Sequence, residues 1–377
     1  MRSIIRLFAV AAAFVSLNLA PAFAADEAKP VAELREQAIN RAVDFLRTHG
    51  QAKDGSYSSA AGPAVSALVN TALLRCGRSP DDPMIASGLK YISSFVQPDG
   101  GIYQPGTNYK NYETCLAIVC FERANRGGKY DTLLAAADRF VKGIQWDESE
   151  SHDRTSVNYG GAGYGKSKRP DLSNTSFLMD ALKATGTGAD DEAMKKALIF
   201  VSRCQNLESE HNTTEFPAKN NDGGFYYTPA GGGSSQAGKT ESGGLRSYAS
   251  MTYAGLKSMI YAGVGPDDPR VQAALTWLKK NYSLESNPGM GDAGLFYYYT
   301  TFAKALDALG QETFVDEQGK PHQWRDELAR ELAARQRADG SWLNDNARWM
   351  EGDPNLVTAY GLLALSYCQQ PAASTSR

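Results

Sequence analysis

Gln336-Arg337-Ala338-Asp339-Gly340-Ser341-Trp342 restates, near the end of the chain, a stretch found near its beginning: Gln51-Ala52-Lys53-Asp54-Gly55-Ser56-Tyr57. Between them lie Gln97-Pro98-Asp99-Gly100-Gly101-Ile102-Tyr103 and Asn221-Asp222-Gly223-Gly224-Phe225-Tyr226, and then Asp292-Ala293-Gly294-Leu295-Phe296. Each copy follows one amphipathic stretch and precedes another. Self-similarity on this scale marks a repeat architecture, in which one supersecondary unit is stacked against its neighbours.

Working outward from the turns, apolar periodicity predicts paired helices. The pairs are 33–49 with 63–76, 83–97 with 111–126, 131–145 with 173–185, 190–206 with 245–263, 268–282 with 295–310, and 323–337 with 354–369. The third pair has only a degenerate turn, Gly160 to Gly165, and the fourth carries a long Gly-rich insertion. A second loop type alternates with the first: Gly77-Arg-Ser-Pro-Asp81-Asp82-Pro83 returns as Gly263-Val-Gly-Pro-Asp267-Asp268-Pro269, and more loosely from Gly186 to Asp191. Glycine there ends one helix in a left-handed conformation; aspartate caps the next, with proline at its first position. The tandem aspartates therefore have a structural task, and no metal is expected at them. Six hairpins of this kind close into an all-α ring, an (α/α)6 toroid with an inner and an outer ring of helices. Strands should be short ornaments.

The ends of the chain read differently. Arg2 and Arg6 precede an apolar run from Leu7 to Leu19, and Ala22-Phe23-Ala24 suits a small-x-small cleavage site. Residues 1–24 are expected to be a secretory signal, 25–32 a linker, 33–369 one toroid domain and 370–377 a disordered tail. The protein is then secreted or periplasmic, with no transmembrane anchor. The formal net charge is −3, and losing Arg2 and Arg6 makes it two units more negative. That balance argues against a nucleic-acid partner, which requires a basic stripe. Five cysteines make an odd set: Cys76, Cys115, Cys120, Cys204 and Cys368. Buried free thiols and a Cys76–Cys368 bridge locking the ring are both open.

Several strings carry candidate chemistry. Gly233-Ser-Ser-Gln-Ala-Gly238-Lys239-Thr240 matches the phosphate-loop pattern, but no apolar strand precedes it and Gly243-Gly244 breaks any helix behind it, so no nucleotide is expected. Glu113, Asp171, Glu241, Asp292 and Asp353 lie near the starts of inner helices, all at one rim. Capping alone would gather carboxylates there. The functional alternative makes Asp171 or Glu113 a general acid or base. Tyr57, Tyr103 and Trp342 suit staples packed on the preceding helix. Tyr109, Tyr112, Tyr159, Tyr164, Tyr226, Tyr227, Tyr248, Tyr297, Tyr298 and Tyr299 are expected to line a cavity mouth at that same rim, where aromatic faces bind sugars, apolar chains or cations.

The Gln-x-x-Asp-Gly-Ser/Gly-aromatic turns resemble the repeats of squalene–hopene cyclases and protein prenyltransferases, over roughly residues 33–369. Gly163-Tyr164-Gly165 and Arg169-Pro170-Asp171-Leu172-Ser173-Asn174-Thr175 are similar to a segment common in exported bacterial members, which adds Asn174 to the ligand-binding candidates. The resemblance implies an α/α toroid with a central cavity for an isoprenoid. Its catalytic sets are missing: there is no Asp-x-Asp-Asp acid motif, no Asp-x-Cys zinc pair and no Cys-Gly-Glu-Gln thioester. His49, His152, His211 and His322 lack ligand spacing, and no metal or cofactor is expected. The expectation is an exported ligand- or partner-binding protein. An enzymatic version would be a cyclase-like isomerase or lyase without its usual acid. A glycan-active toroid and a protein-interaction scaffold are the alternatives.

Overall fold

The computed structural model describes residues 29–165 and 169–369. The signal at 1–24, linker residues 25–28 and the tail 370–377 lie outside the described residues.

Twelve helices form the six hairpins: α1 (Val31–Phe45), α2 (Ala64–Arg75), α3 (Pro83–Ser93), α4 (Lys110–Ala124), α5 (Asp131–Lys142) and α6 (Leu172–Ala184), then α7 (Glu192–Arg203), α8 (Ala249–Tyr261), α9 (Pro269–Lys280), α10 (Leu295–Leu309), α11 (Trp324–Arg335) and α12 (Pro354–Tyr367). The even-numbered helices pack side by side in the order α2, α4, α6, α8, α10, α12 and back to α2, so the ring is closed. Burial separates the two layers as their sequences demand. Outer α5 buries a single stripe, Leu134, Ala137 and Val141, whereas inner α12 is buried without a break from Leu356 to Leu365. A helix apolar on every side fits only between an outer layer and packed neighbours. One two-residue hairpin, Phe314–Val315 with Pro321–His322, is the sole named sheet among the described residues.

The repeated turn is a four-part staple. Its aspartate accepts the backbone N–H two residues on, as Asp54 does from Ser56 and Asp339 from Ser341, both at 3.0 Å. Its glycine lies against the next outer helix: a Cβ on Gly55 would come within 2.5 Å of the Ser87 carbonyl in α3, and one on Gly340 would overlap that of Arg41 in α1. Both glycines also have φ near +90°. The glutamine ties turn to neighbour. Gln51 donates to Gly55 and Met84 carbonyls at 3.2 and 2.8 Å, and Gln336 donates to Gly340 and Ala38 at 2.9 and 2.8 Å, closing the ring. Finally a hydroxyl on the inner helix (Ser66, Thr114, Thr175, Thr252 or Thr358) accepts the N–H of the residue behind the turn at 2.9–3.1 Å.

Two expectations about these copies change. The turn read as degenerate does lack the aspartate, with Tyr159 in its place, but it keeps the other parts: Gln145 donates to Gly160 and Ala193 carbonyls at 2.8 and 3.0 Å, and Gly160 lies on the Lys196 carbonyl. Asp292-Ala-Gly294, read as a full copy, is not one. Gly294 is the N-cap of α10 and lies beside the Trp349 ring, and α10 takes its cap from Glu351. The alternating loops behave as expected. Asp82, Asp191 and Asp268 cap α3, α7 and α9 through Met84, Ala193 and Arg270 N–H groups at 2.8–2.9 Å.

Closure does bring α12 beside α2, but no disulfide forms. Cys76 and Cys368 are free thiols, as are Cys115, Cys120 and Cys204. Cys76 Sγ donates to the Leu362 carbonyl at 3.6 Å and Cys368 Sγ to that of Ala364 at 3.4 Å. Burial pushes both thiols up to about 12, which keeps them protonated and inert.

Candidate functional site

The central cavity measures about 320 Å³ and takes wall residues from all six inner helices. Its position overturns the sequence expectation of a mouth at the Asp-Gly rim. Arg75, Arg123 and Lys183 on its wall end α2, α4 and α6 and stand at the opposite rim, and Arg123 and Lys183 are exposed. The walls are mixed: Leu68, Leu116, Val119 and Leu363 are apolar, while Ser176, Thr300 and Thr301 are hydroxylic.

Aromatic rings cross the axis and form the floor. Phe177, Tyr297 and Tyr360 line the cavity, with Phe177 and Tyr297 centroids 6.3 Å apart and Tyr297 and Tyr360 6.0 Å apart. Tyr112 meets Phe177 edge-on at 5.1 Å and Tyr164 at 6.3 Å on the Asp-Gly side. Ser173 and the Tyr297 hydroxyl are 3.0 Å apart, joining α6 to α10. Burial raises the Tyr112 and Tyr297 phenols, so the floor is neutral.

One charged cluster sits in the wall. Asp180 of α6 receives Lys257 of α8 at 2.5 Å and Lys304 of α10 at 2.6 Å, and Lys257 also donates to Ser176 Oγ at 2.7 Å. Burial would push the Asp180 carboxyl up, but the two ammonium groups outweigh it and hold it below its ordinary value. Burial pulls Lys257 down to about 8, Asp180 opposing and Lys304 adding to the fall. Lys304 goes the other way: burial lowers it, and Asp180 more than reverses that. None of these three belongs to a motif or turn in the sequence. Their signal was available as single charges inside apolar stretches, in Phe177-Leu-Met-Asp180-Ala-Leu, Ala254-Gly-Leu-Lys257-Ser-Met and Phe302-Ala-Lys304-Ala-Leu.

The expected site residues fall on the Asp-Gly side. Asp171 is the N-cap of α6, accepting from Asn174 N at 2.9 Å and Asn174 Nδ2 at 2.8 Å. Burial pushes its carboxyl up to about 6 against those hydrogen bonds and one from Tyr227. Tyr164 and Tyr227 approach the same carboxylate, and Tyr248, the N-cap of α8, is buried nearby. Glu113 instead holds a loop, accepting from Gln104 N at 2.7 Å and Thr107 Oγ1 at 3.0 Å; burial raises it as well. Tyr109 is exposed and meets Tyr164 edge-on. Tyr159 and Tyr298 are not brought to this group: Tyr159 donates to Glu148 at 3.0 Å, and Tyr298 to the Ser283 carbonyl at 2.6 Å. Asp353 caps α12 through Asn355 and Leu356, Glu241 is exposed in a hairpin turn, and Asp292 makes no cap. Around Gly233–Thr240 the backbone pairs Thr228 with Ser234 and Lys239 with Leu245, a hairpin in place of a strand–loop–helix. No group of three or more metal-ligating side chains occurs among the described residues.

No protein-family model matches the chain, and no curated protein matches it. Among solved structures, a variant of the type II terpene cyclase MstE from Scytonema with geranylgeranyl dihydroxybenzoate is 14% identical, at a TM-score of 0.38, covering 90% of this chain and 97% of that one. MstE without ligand is 13% identical, at a TM-score of 0.35, covering 90% and 98%. Another variant, in complex with merosterolic acid A, is 14% identical, at a TM-score of 0.33, covering 90% and 98%. The toroid assignment rests on the closed ring of inner helices and not on these likenesses. No helix among the described residues is long and apolar enough to cross a membrane.

Proposed function

We propose that this protein, exported through residues 1–24, binds a short apolar chain of polyprenyl type in its central cavity. The chain enters from the rim opposite the Asp-Gly turns and lies against the Phe177–Tyr297–Tyr360 floor. The observation that carries this reading is the pairing of that aromatic floor with the apolar wall of Leu68, Leu116, Val119 and Leu363. Each buried methylene of such a chain contributes about 0.8 kcal/mol. A volume of about 320 Å³ stands at the small end of ligand pockets, which favours a short chain over a long one. On this reading Asp171 and Glu113 order the Asp-Gly rim below the floor, and the ligand meets the tyrosines of α10 and α12.

Calorimetric titration of the mature protein with farnesol tests it. Binding should be measurable, be lost in Val119→Trp, whose indole fills the cavity, and be unchanged in Tyr109→Ala and Asp171→Ala. Titration with a neutral oligosaccharide should give no heat. Oligosaccharide binding without farnesol binding would replace this reading with a glycan site.

A further inference from the structure

We infer that Lys257 is an amine nucleophile and that the central cavity captures a short apolar aldehyde as an imine on its Nζ. The inference rests on the reading that this cavity binds an apolar chain; it adds a carbonyl at the end of that chain and a covalent step. It starts from three side chains on three inner helices whose charges do not balance. Asp180 of α6 takes Lys257 of α8 on one carboxylate oxygen at 2.5 Å and Lys304 of α10 on the other at 2.6 Å. One carboxylate needs one countercharge. A purely structural ion pair would be complete with either lysine, and the second ammonium is costly away from water.

The cluster becomes neutral by releasing one proton, and burial decides which lysine gives it up. Lys257 has 4% of its side chain exposed and Lys304 has 21%. Burial disfavours the charged form of an amine, and a neighbouring cation adds to the effect. Burial accordingly pulls Lys257 down to about 8 against Asp180, with Lys304 adding to the fall, whereas Lys304 is lowered by burial and more than restored by Asp180. The phenols that face the pair do not compete for the proton. The Tyr261 ring lies 5.4 Å from Lys257 on the same helix, Tyr297 lines the cavity from α10, and burial raises both. Lys183 of α6, 5.9 Å from the Tyr261 ring, is a further cation in these surroundings. A lysine desolvated beside another cation is the arrangement that makes an amine nucleophilic near neutral pH.

The hydrogen bonds suit the neutral form. Lys257 donates to Asp180 at 2.5 Å and to Ser176 Oγ at 2.7 Å, and its third contact, to the Ser176 carbonyl, is long at 3.4 Å. A neutral amine keeps two N–H groups, enough for the two short bonds, and carries a lone pair in place of the third. Lys257 lines the cavity one turn before the end of α8, above the aromatic floor. A chain lying on that floor with its tail inward presents its other end to this nitrogen. The lone pair attacks the carbonyl carbon and forms the C–N bond. The C=O electrons go to oxygen, which leaves as water with the two N–H protons of Lys257, and a C=N bond remains. Lys304, an ammonium on the same carboxylate, is the acid at hand to relay those protons. Water reverses the step, and no oxidant or reductant is consumed.

The test adds citronellal, a short prenyl-type aldehyde, to the mature protein with cyanoborohydride, which reduces an imine to a stable amine. Peptide mass spectrometry then locates the adducts. At pH 7 about one in ten Lys257 side chains is uncharged, against fewer than about one in a thousand for an ordinary lysine. Trapping at Lys257 should therefore outrun trapping at the exposed Lys53 by about tenfold or more. Excess farnesol, which has no carbonyl, should suppress the Lys257 adduct and leave Lys53 unaffected. Lys304→Gln removes the neighbouring cation and should raise the pH of half-maximal trapping by about one pH unit where circular dichroism shows it folded. Where it is not folded, the position of the adduct in the wild-type protein decides the matter. Adducts spread over exposed lysines with none preferred at Lys257, while farnesol still gives heat, would overturn the imine and leave the apolar site standing. Neither heat from farnesol nor an adduct at Lys257 would overturn the reading beneath it as well.

Discussion

The two rims of the ring are made from the two ends of the same six inner helices, and they differ in charge and access. At the Asp-Gly rim the inner helices begin, and their unpaired N–H groups draw carboxylates: Asp171 on α6, Asp353 on α12 and Glu351 on α10. Those acids are covered by turns and tyrosines, and burial raises Asp171 and Glu351. At the opposite rim the inner helices end, lysines and arginines gather, and the buried Asp180 is held down by two ammonium groups. Backbone polarity thus sorts charge along the ring axis. The Asp-Gly turns staple one rim, while the glycine–aspartate loops at the other rim cap the outer helices and leave the cavity open between the inner ones.

The largest expected effect comes from the open rim. Asp180→Asn leaves Lys257 buried beside Lys304 without a countercharge and should cost about 3–5 kcal/mol in urea denaturation. A change below about 1 kcal/mol would mean that the cluster is solvated and that the two rims do not differ as described. Next, Gly160→Ala at the built rim places a methyl on the Lys196 carbonyl with φ at +79°, and should cost about 2–3 kcal/mol. Retention of wild-type stability would show the third staple to be slack.

Acid should move the two rims in opposite directions. Asp171 has a folded value near 6, above the unfolded one, so its contribution is fully present below about pH 4 and is lost as pH rises through 6. Asp180 is depressed, so its contribution is present above about pH 4 and is lost as pH falls through its folded value. Asp171→Asn keeps the cap and should remove a loss of about 2 kcal/mol between pH 4 and 6 from the stability profile. An unchanged profile would mean that Asp171 titrates as an ordinary exposed carboxylate. The smallest effect is expected from Gln336→Ala, about 1 kcal/mol, because it removes the tie between the last turn and α1 without exposing a charge.

The fold was legible because the ring is made from local signals. Asp-Gly turns, glycine–aspartate loops and outer stripes such as Leu134, Ala137 and Val141 each announce themselves within a few residues. Two staple parts were missed for the same reason in reverse. Gln205 acts on Gly223 and Arg270 across an insertion, and the hydroxyls of Thr175 and Thr252 act across the hairpin, so no short window contains both partners. The site was hidden more deeply. Inner helices are apolar on every face, so periodicity does not say which side meets the axis. Asp180, Lys257 and Lys304 come from three different hairpins and meet only once the ring has closed. The acids and tyrosines that stood out in the sequence did so by clustering near turns, which marks the rim where the inner helices begin.

A crystal structure of the mature protein grown with farnesol tests the central claim, that the cavity binds its ligand from the basic rim. The account predicts a chain of density above Phe177, Tyr297 and Tyr360, with its hydroxyl end toward the rim opposite the Asp-Gly turns. Density against Tyr109, Tyr164 and Asp171, with the central cavity holding only water, would contradict it.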